Sequence, residues 1–129
     1  MASVAANRYQ TKPHIIKGNH QQQMTSIGLS NSQYYSLVDA LERVVTEGSG
    51  KNAKLKNFSL AAKSGTAQVW ENRKRKNVAW FIAFAPSDKP QVAICVTVQE
   101  ESAADNFYGG KNAAPIAKKV LDAYFDSNI

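Results

Sequence analysis

At 129 residues, 43% hydrophobic and 20% charged, the chain has the size of about one domain and the composition of a packed core rather than of a disordered segment. A net charge of +6 reads as a solubilising surface, and one cysteine with two histidines leaves no disulfide within the chain, no expected metal site and no expected cofactor. No run approaches the ~18 consecutive apolar residues of a membrane span, and residues 1–16 lack the apolar core of a signal peptide.

In chain order, residues 1–7 read as the tail of a helix that ends before Asn7. Residues 9–16 read as extended or irregular, because Pro13 biases Lys12 away from helix. Residues 17–25 form a polar loop, and residues 26–29 are too short to assign. A helix follows, with Asn31 or Ser32 as its expected cap. Tyr34, Tyr35, Leu37, Val38, Leu41, Val44 and Val45 make one wide apolar stripe at helical spacing. Gly48-Ser49-Gly50 stops that helix, and residues 51–57 are a lysine-rich turn.

Three strands are expected next, over residues 58–70, 78–85 and 91–98. A charged hairpin loop, 71–77, joins the first two, and a Pro-Ser-Asp-Lys-Pro turn, 86–90, joins the second and third. In the third strand Val92, Ile94, Val96 and Val98 face one way, and Ala93, Cys95 and Thr97 the other. This pattern predicts helices over both faces, a buried Cys95, and a central or near-central place for Ile94 and Val96. Residues 99–110 are an acidic loop ending in glycines. Asn112 is the expected cap of a last helix with the stripe Ile116, Ala117, Val120, Leu121, Tyr124 and Phe125, and Pro115 is tolerated in its first turn.

The most informative stretch is Lys63-Ser64-Gly65-Thr66, at the start of the first strand. On its own it also reads as a polar turn before a strand. A Lys-[Ser/Thr]-Gly-Thr box is, however, the third signature of the active-site serine penicillin-recognising enzymes. Further blocks accompany it in order: Thr46-Glu47-Gly48-Ser49-Gly50, Ala79-Trp80-Phe81-Ile82-Ala83-Phe84-Ala85-Pro86 and Ala113-Ala114-Pro115-Ile116-Ala117. Upstream stand Ala5-Ala6-Asn7 and Lys12-Pro13-His14-Ile15-Ile16. Together these blocks resemble the C-terminal end of a class B penicillin-binding protein, over nearly the whole chain. None of the eleven serines begins the other two signatures, Ser-x-x-Lys and Ser-x-Asn.

The resemblance implies an α+β fold: an antiparallel sheet, three strands of it in this chain, flanked by helices in the penicillin-binding/β-lactamase-like manner. Residues 1–129 would be the C-terminal portion of a transpeptidase domain. The parent would be a peptidoglycan D,D-transpeptidase, membrane-anchored with this domain outside the cytoplasmic membrane. It would act on the stem peptide and bind β-lactams. By motif position, Lys63 would support proton transfer and attract an anionic substrate. Ser64 and Thr66 would bind the substrate carboxylate. Gly65 would let the ligand lie against the strand, and the Thr66 N–H would supply half of an oxyanion hole. Without its nucleophile the chain alone should be inactive. It should also associate with the preceding part of the domain or with itself. The alternative is a non-catalytic binding module on the same scaffold.

Other residues carry weaker expectations. Arg73-Lys74-Arg75-Lys76 is read as a solvated loop, and binding of nucleic acid through it is not expected. Trp70, Trp80, Phe81 and Phe84 are expected in the core, with Gln68 and Trp70 as further candidates to reach the cleft. Asp105, Asn106, Tyr108, Gly109 and Gly110 stand where the resembled family has a loop near the cleft mouth.

Overall fold

Ser30 opens the long helix in the computed structural model, which describes residues 1–10, 13, 15–16, 25–99 and 106–127. Its hydroxyl accepts from the Gln33 N–H at 3.3 Å, and Gln33 Oε1 accepts from the Ser30 N–H at 2.9 Å. This reciprocal pair satisfies two donors that a helix start leaves open. The cap therefore lies ahead of the expected Asn31 or Ser32. Asn31 instead accepts from Arg8 Nη1 at 2.6 Å. That bond ties Arg8 to the start of the long helix, while backbone bonds tie residues 8–10, which follow the short helix α1 (Ala2–Ala5), to residues 25–27. The expectations for Lys12, His14, His20, the loop 17–24 and Asp105 fall outside the described residues.

Helix α2 (Asn31–Thr46) buries Tyr34 and Val45 and half-buries Leu37, Val38, Leu41 and Val44. Tyr35 does not belong to this stripe: it is 70% exposed, because one step of ~100° turns it off the 34–38–41–45 line. At the C-terminus the Gly48 N–H donates to the Arg43 carbonyl and the Gly50 N–H to the Val44 carbonyl. Gly50 is buried, and a Cβ there would stand 3.1 Å from Val44 Cγ1 and 3.3 Å from Phe81 Cε2. A 3₁₀ turn, Lys51–Ala53, follows.

The sheet is antiparallel in the order β1 (Ala61–Glu71), β2 (Lys74–Ala85), β3 (Val92–Gln99). Residues 58–60 precede β1 rather than join it. Phe58 turns away to stack on Phe125, with ring centroids 4.0 Å apart. The charged segment 71–77 is not a loop either. Glu71 pairs directly with Lys74 across a two-residue turn in which Asn72 and Arg73 have φ of 51° and 62°. Positive φ at both positions matches the right-handed twist of a hairpin. The strands run on through lysines and arginines because this end of the hairpin projects past the core, where its residues 67–75 are exposed.

Register sorts the side chains into two faces. Ala62, Ser64 and Thr66 lie opposite Ala83, Phe81 and Ala79, and those in turn face Ile94, Val96 and Val98. This face meets Val45, Ala53, Leu55, Leu121 and Phe125 in one core. On the other face Ala61 and Phe84 are buried, but Lys63, Trp80, Ala93, Cys95 and Thr97 are exposed. The expectation of helices over both faces fails there, since the described elements cover the second face at one end only. Cys95 is consequently exposed, not buried. β3 is an edge among the described strands, and Ile94 and Val96 are half-buried rather than central.

The last helix opens with a π-turn, Gly109–Ala113, and continues as α3 (Ala114–Asp126) with Pro115 in its first turn. Asn112 serves the π-turn, accepting from the Tyr108 N–H at 3.0 Å, and does not cap α3. Ala113, Ala114, Ala117, Leu121 and Phe125 are buried, whereas Ile116, Val120 and Tyr124 are 43%, 50% and 37% exposed. No helix among the described residues is long and apolar enough to cross a membrane.

Candidate substrate-binding site

Strand alternation puts Lys63 and Gly65 on one face of β1 and Ser64 and Thr66 on the other. A single ligand can reach all four only along the outer edge of the strand, where β1 has no partner among the described strands. The direction of the backbone at that edge follows from a close approach behind it. A Cβ built on Gly109 would stand 2.2 Å from the Trp80 carbonyl oxygen, 2.7 Å from that of Gly65 and 3.0 Å from the Gly65 nitrogen. In an antiparallel pair, two carbonyl oxygens this near one point belong to residues that exchange hydrogen bonds. Gly65 therefore points its polar groups toward β2, and its neighbours Ser64 and Thr66 point theirs outward. The Lys63 ammonium agrees with this, since it donates to the Ser64 carbonyl.

The edge thus carries an ammonium, the outward N–H of Thr66, and two hydroxyls. It is a donor-rich strip suited to an anionic, extended ligand that pairs with the strand. Gly65 is open on its Lys63 face, where an added Cβ would meet nothing nearer than Trp80 Cβ at 3.7 Å. Its back is closed by Gly109. The π-turn also seats Gly110 so tightly that a Cβ there would stand 2.0 Å from the Ser49 carbonyl oxygen. Asn52 Nδ2 donates to the Gly110 carbonyl at 2.9 Å.

Sequence reasoning missed Ser49. Its Oγ lies 2.5 Å from Ser64 Oγ. Its signals were a place between two glycines, which read as a helix stop, and membership of the Thr46–Gly50 block, to which no site role was attached. Gly109 and Gly110 are corrected in the opposite sense, because both are buried against backbone and hence withdrawn from a ligand. Asn106 and Tyr108 are exposed. Trp70 and Trp80, expected in the core, are 73% and 41% exposed, while Phe81 and Phe84 are fully buried. The basic residues 73–75 are exposed on the projecting hairpin, and Lys76 pairs with Glu71 at 2.5 Å. No group of three His, Cys, Asp or Glu side chains converges among the described residues.

The three-stranded antiparallel sheet backed by helices is an arrangement shared with solved transpeptidase domains. The family model for the penicillin binding protein transpeptidase domain matches residues 1–122, and the chain belongs to that family. It is 34% identical to the peptidoglycan D,D-transpeptidase MrdA of Haemophilus influenzae over 108 residues, which are 74% of this chain and 15% of that protein. It is 38% identical to the stage V sporulation protein D of Bacillus subtilis over 85 residues, 64% of this chain and 13% of that one. The transpeptidase domain of the FtsI4 D,D-transpeptidase from Legionella pneumophila superposes with a TM-score of 0.65 at 31% identity, covering 75% of this chain and 37% of that domain's chain. The chain therefore spans a small part of the length of these relatives.

Proposed function

We propose that residues 1–129 form the C-terminal portion of a transpeptidase domain and supply the substrate-binding strand of a peptidoglycan D,D-transpeptidase. The observation that carries this reading is the outward edge of β1. Lys63 is a cation beside it, Thr66 an outward N–H donor, and Ser64 a hydroxyl within reach. A D-Ala-D-Ala stem peptide would lie along the edge with its carboxylate toward Ser64 and Thr66. Lys63 would draw in that negative charge and support proton transfer. The scissile carbonyl oxygen would accept from Thr66. The acylating serine oxygen, with the release of D-alanine as the leaving amine, would come from another part of the domain. The same edge would take β-lactams. The parent would act at the cell envelope.

The test is an NMR titration of the ¹⁵N-labelled chain with N-acetyl-D-alanyl-D-alanine. Shifts centred on residues 63–66 are expected, and Lys63→Ala should remove them. Shifts centred elsewhere overturn the reading. A second reading, a non-catalytic binding module, is favoured by the lack of any Ser-x-x-Lys serine among the eleven. Adding a separate polypeptide that carries the Ser-x-x-Lys and Ser-x-Asn segments discriminates the two. Covalent labelling of the mixture by a fluorescent penicillin supports the first reading, and unlabelled components support the second.

A further inference from the structure

Ser49 and Ser64 stand Oγ to Oγ at 2.5 Å, at the short end for a hydroxyl pair. They come from different elements. Ser64 is on β1, and Ser49 is in the turn after α2. That turn is held from two sides. Gly50 is buried against Val44 and Phe81, and Gly110 presses on the Ser49 carbonyl while its own carbonyl is fixed by Asn52. Ser49 therefore presents its hydroxyl from a fixed backbone. Ser64 is half-buried and Ser49 exposed, so the pair borders solvent at the edge of the strand.

A serine hydroxyl has one proton to donate and two lone pairs. A carboxylate offers only acceptors. Ser64 can donate to a carboxylate only if the bond between the two serines is donated by Ser49. The chain then runs from the Ser49 hydroxyl to the Ser64 oxygen, and from the Ser64 hydroxyl to the carboxylate. Each bond in such a chain polarises the next. We infer that Ser49 is a positioning residue: it fixes the Ser64 side chain and its proton so that Ser64 donates outward, which selects ligands ending in a free carboxylate. This rests on the reading that the β1 edge takes a carboxylate ligand.

The experiment compares the wild-type chain with Ser49→Ala and Ser49→Thr by NMR. The Ser64 Hα–Hβ couplings should report one rotamer in wild type and Ser49→Thr, and averaged rotamers in Ser49→Ala. The Kd for N-acetyl-D-alanyl-D-alanine should rise about fivefold in Ser49→Ala and return to near the wild-type value in Ser49→Thr. The Kd for the same dipeptide with a C-terminal amide should change little across the series. A single Ser64 rotamer in Ser49→Ala overturns the inference, as does an unchanged carboxylate Kd in a wild type that binds. If the wild-type chain binds neither dipeptide, the carboxylate reading fails by itself. The couplings, which need no ligand, then decide whether Ser49 holds Ser64.

Discussion

Gly109 has the Trp80 carbonyl oxygen where a side chain would begin, 2.2 Å from an ideal Cβ, and the Gly65 carbonyl at 2.7 Å. Neither obstacle is a flexible side chain that can swing aside. Gly109→Ala should therefore lift the π-turn from the sheet and cost about 3 kcal/mol in urea unfolding, the upper end for an overpacked site. Gly65→Ala is the contrasting change, since its Cβ would make ordinary contact at 3.7 Å. Its stability should stay within about 1 kcal/mol of wild type. On the proposed binding mode its affinity for N-acetyl-D-alanyl-D-alanine should nonetheless fall, because the methyl would stand beside Lys63 where the ligand is proposed to lie. Equal losses of stability in the two variants would disprove the asymmetry. Lys63, Ser64, Gly65 and Thr66 stood out in the sequence because their order is itself a chemical signature, and their role on a substrate-binding strand is the proposal made above. Ser49 and the two glycines did not, because their roles rest on close approaches between residues 15, 44 and 61 positions apart in sequence. No local pattern encodes such a distance.

Among the elements, the hairpin and α2 separate what periodicity reveals from what it hides. The β2 and β3 apolar runs and the helical stripes were readable because one side of each meets the core. The start of β2 was not readable as strand, since Lys74 and Arg75 are both exposed on the projecting hairpin and alternation vanishes there. Its turn is less than ideal: Arg73 bears a side chain at φ 62°. Arg73→Gly should stabilise the chain by about 0.5–1 kcal/mol, measured as a shift in the urea midpoint at constant slope. An unchanged or lowered midpoint would mean that the Arg73 side chain compensates for its backbone. In α2, Ser30→Ala should cost about 1 kcal/mol, whereas Ser32→Ala should cost much less. The reverse order would put the cap back where spacing alone suggested.

For the molecule as a whole, two features are exposed among the described residues: the outer edge of β3, and the apolar side chains of Ile116 and Val120 on α3. Single exposed apolar residues are ordinary, but an unpaired strand edge invites pairing. The chain should self-associate across the micromolar range in sedimentation velocity. More salt should strengthen this by screening the net charge of +6. A monomer at all concentrations and salts would show that these surfaces are self-sufficient. A fluorescent penicillin should leave the isolated chain unlabelled, and a mass shift of one drug molecule would reveal a nucleophile outside the known signatures.

The backbone contact between Gly109 and β1 also separates two properties that usually vary together. In most domains the spacing between a helix and a sheet is set by the bulk of the side chains between them, so changing the core moves the layers. Here the last helix begins at a bare-backbone contact with the strand that carries the box. The gap at that point is as small as main-chain atoms allow. Trimming Leu121 to Val should lower stability yet leave the amide shifts of Ser64 and Thr66 in place. Drift in the hydrophobic core would thus cost the molecule robustness long before it cost the edge its alignment.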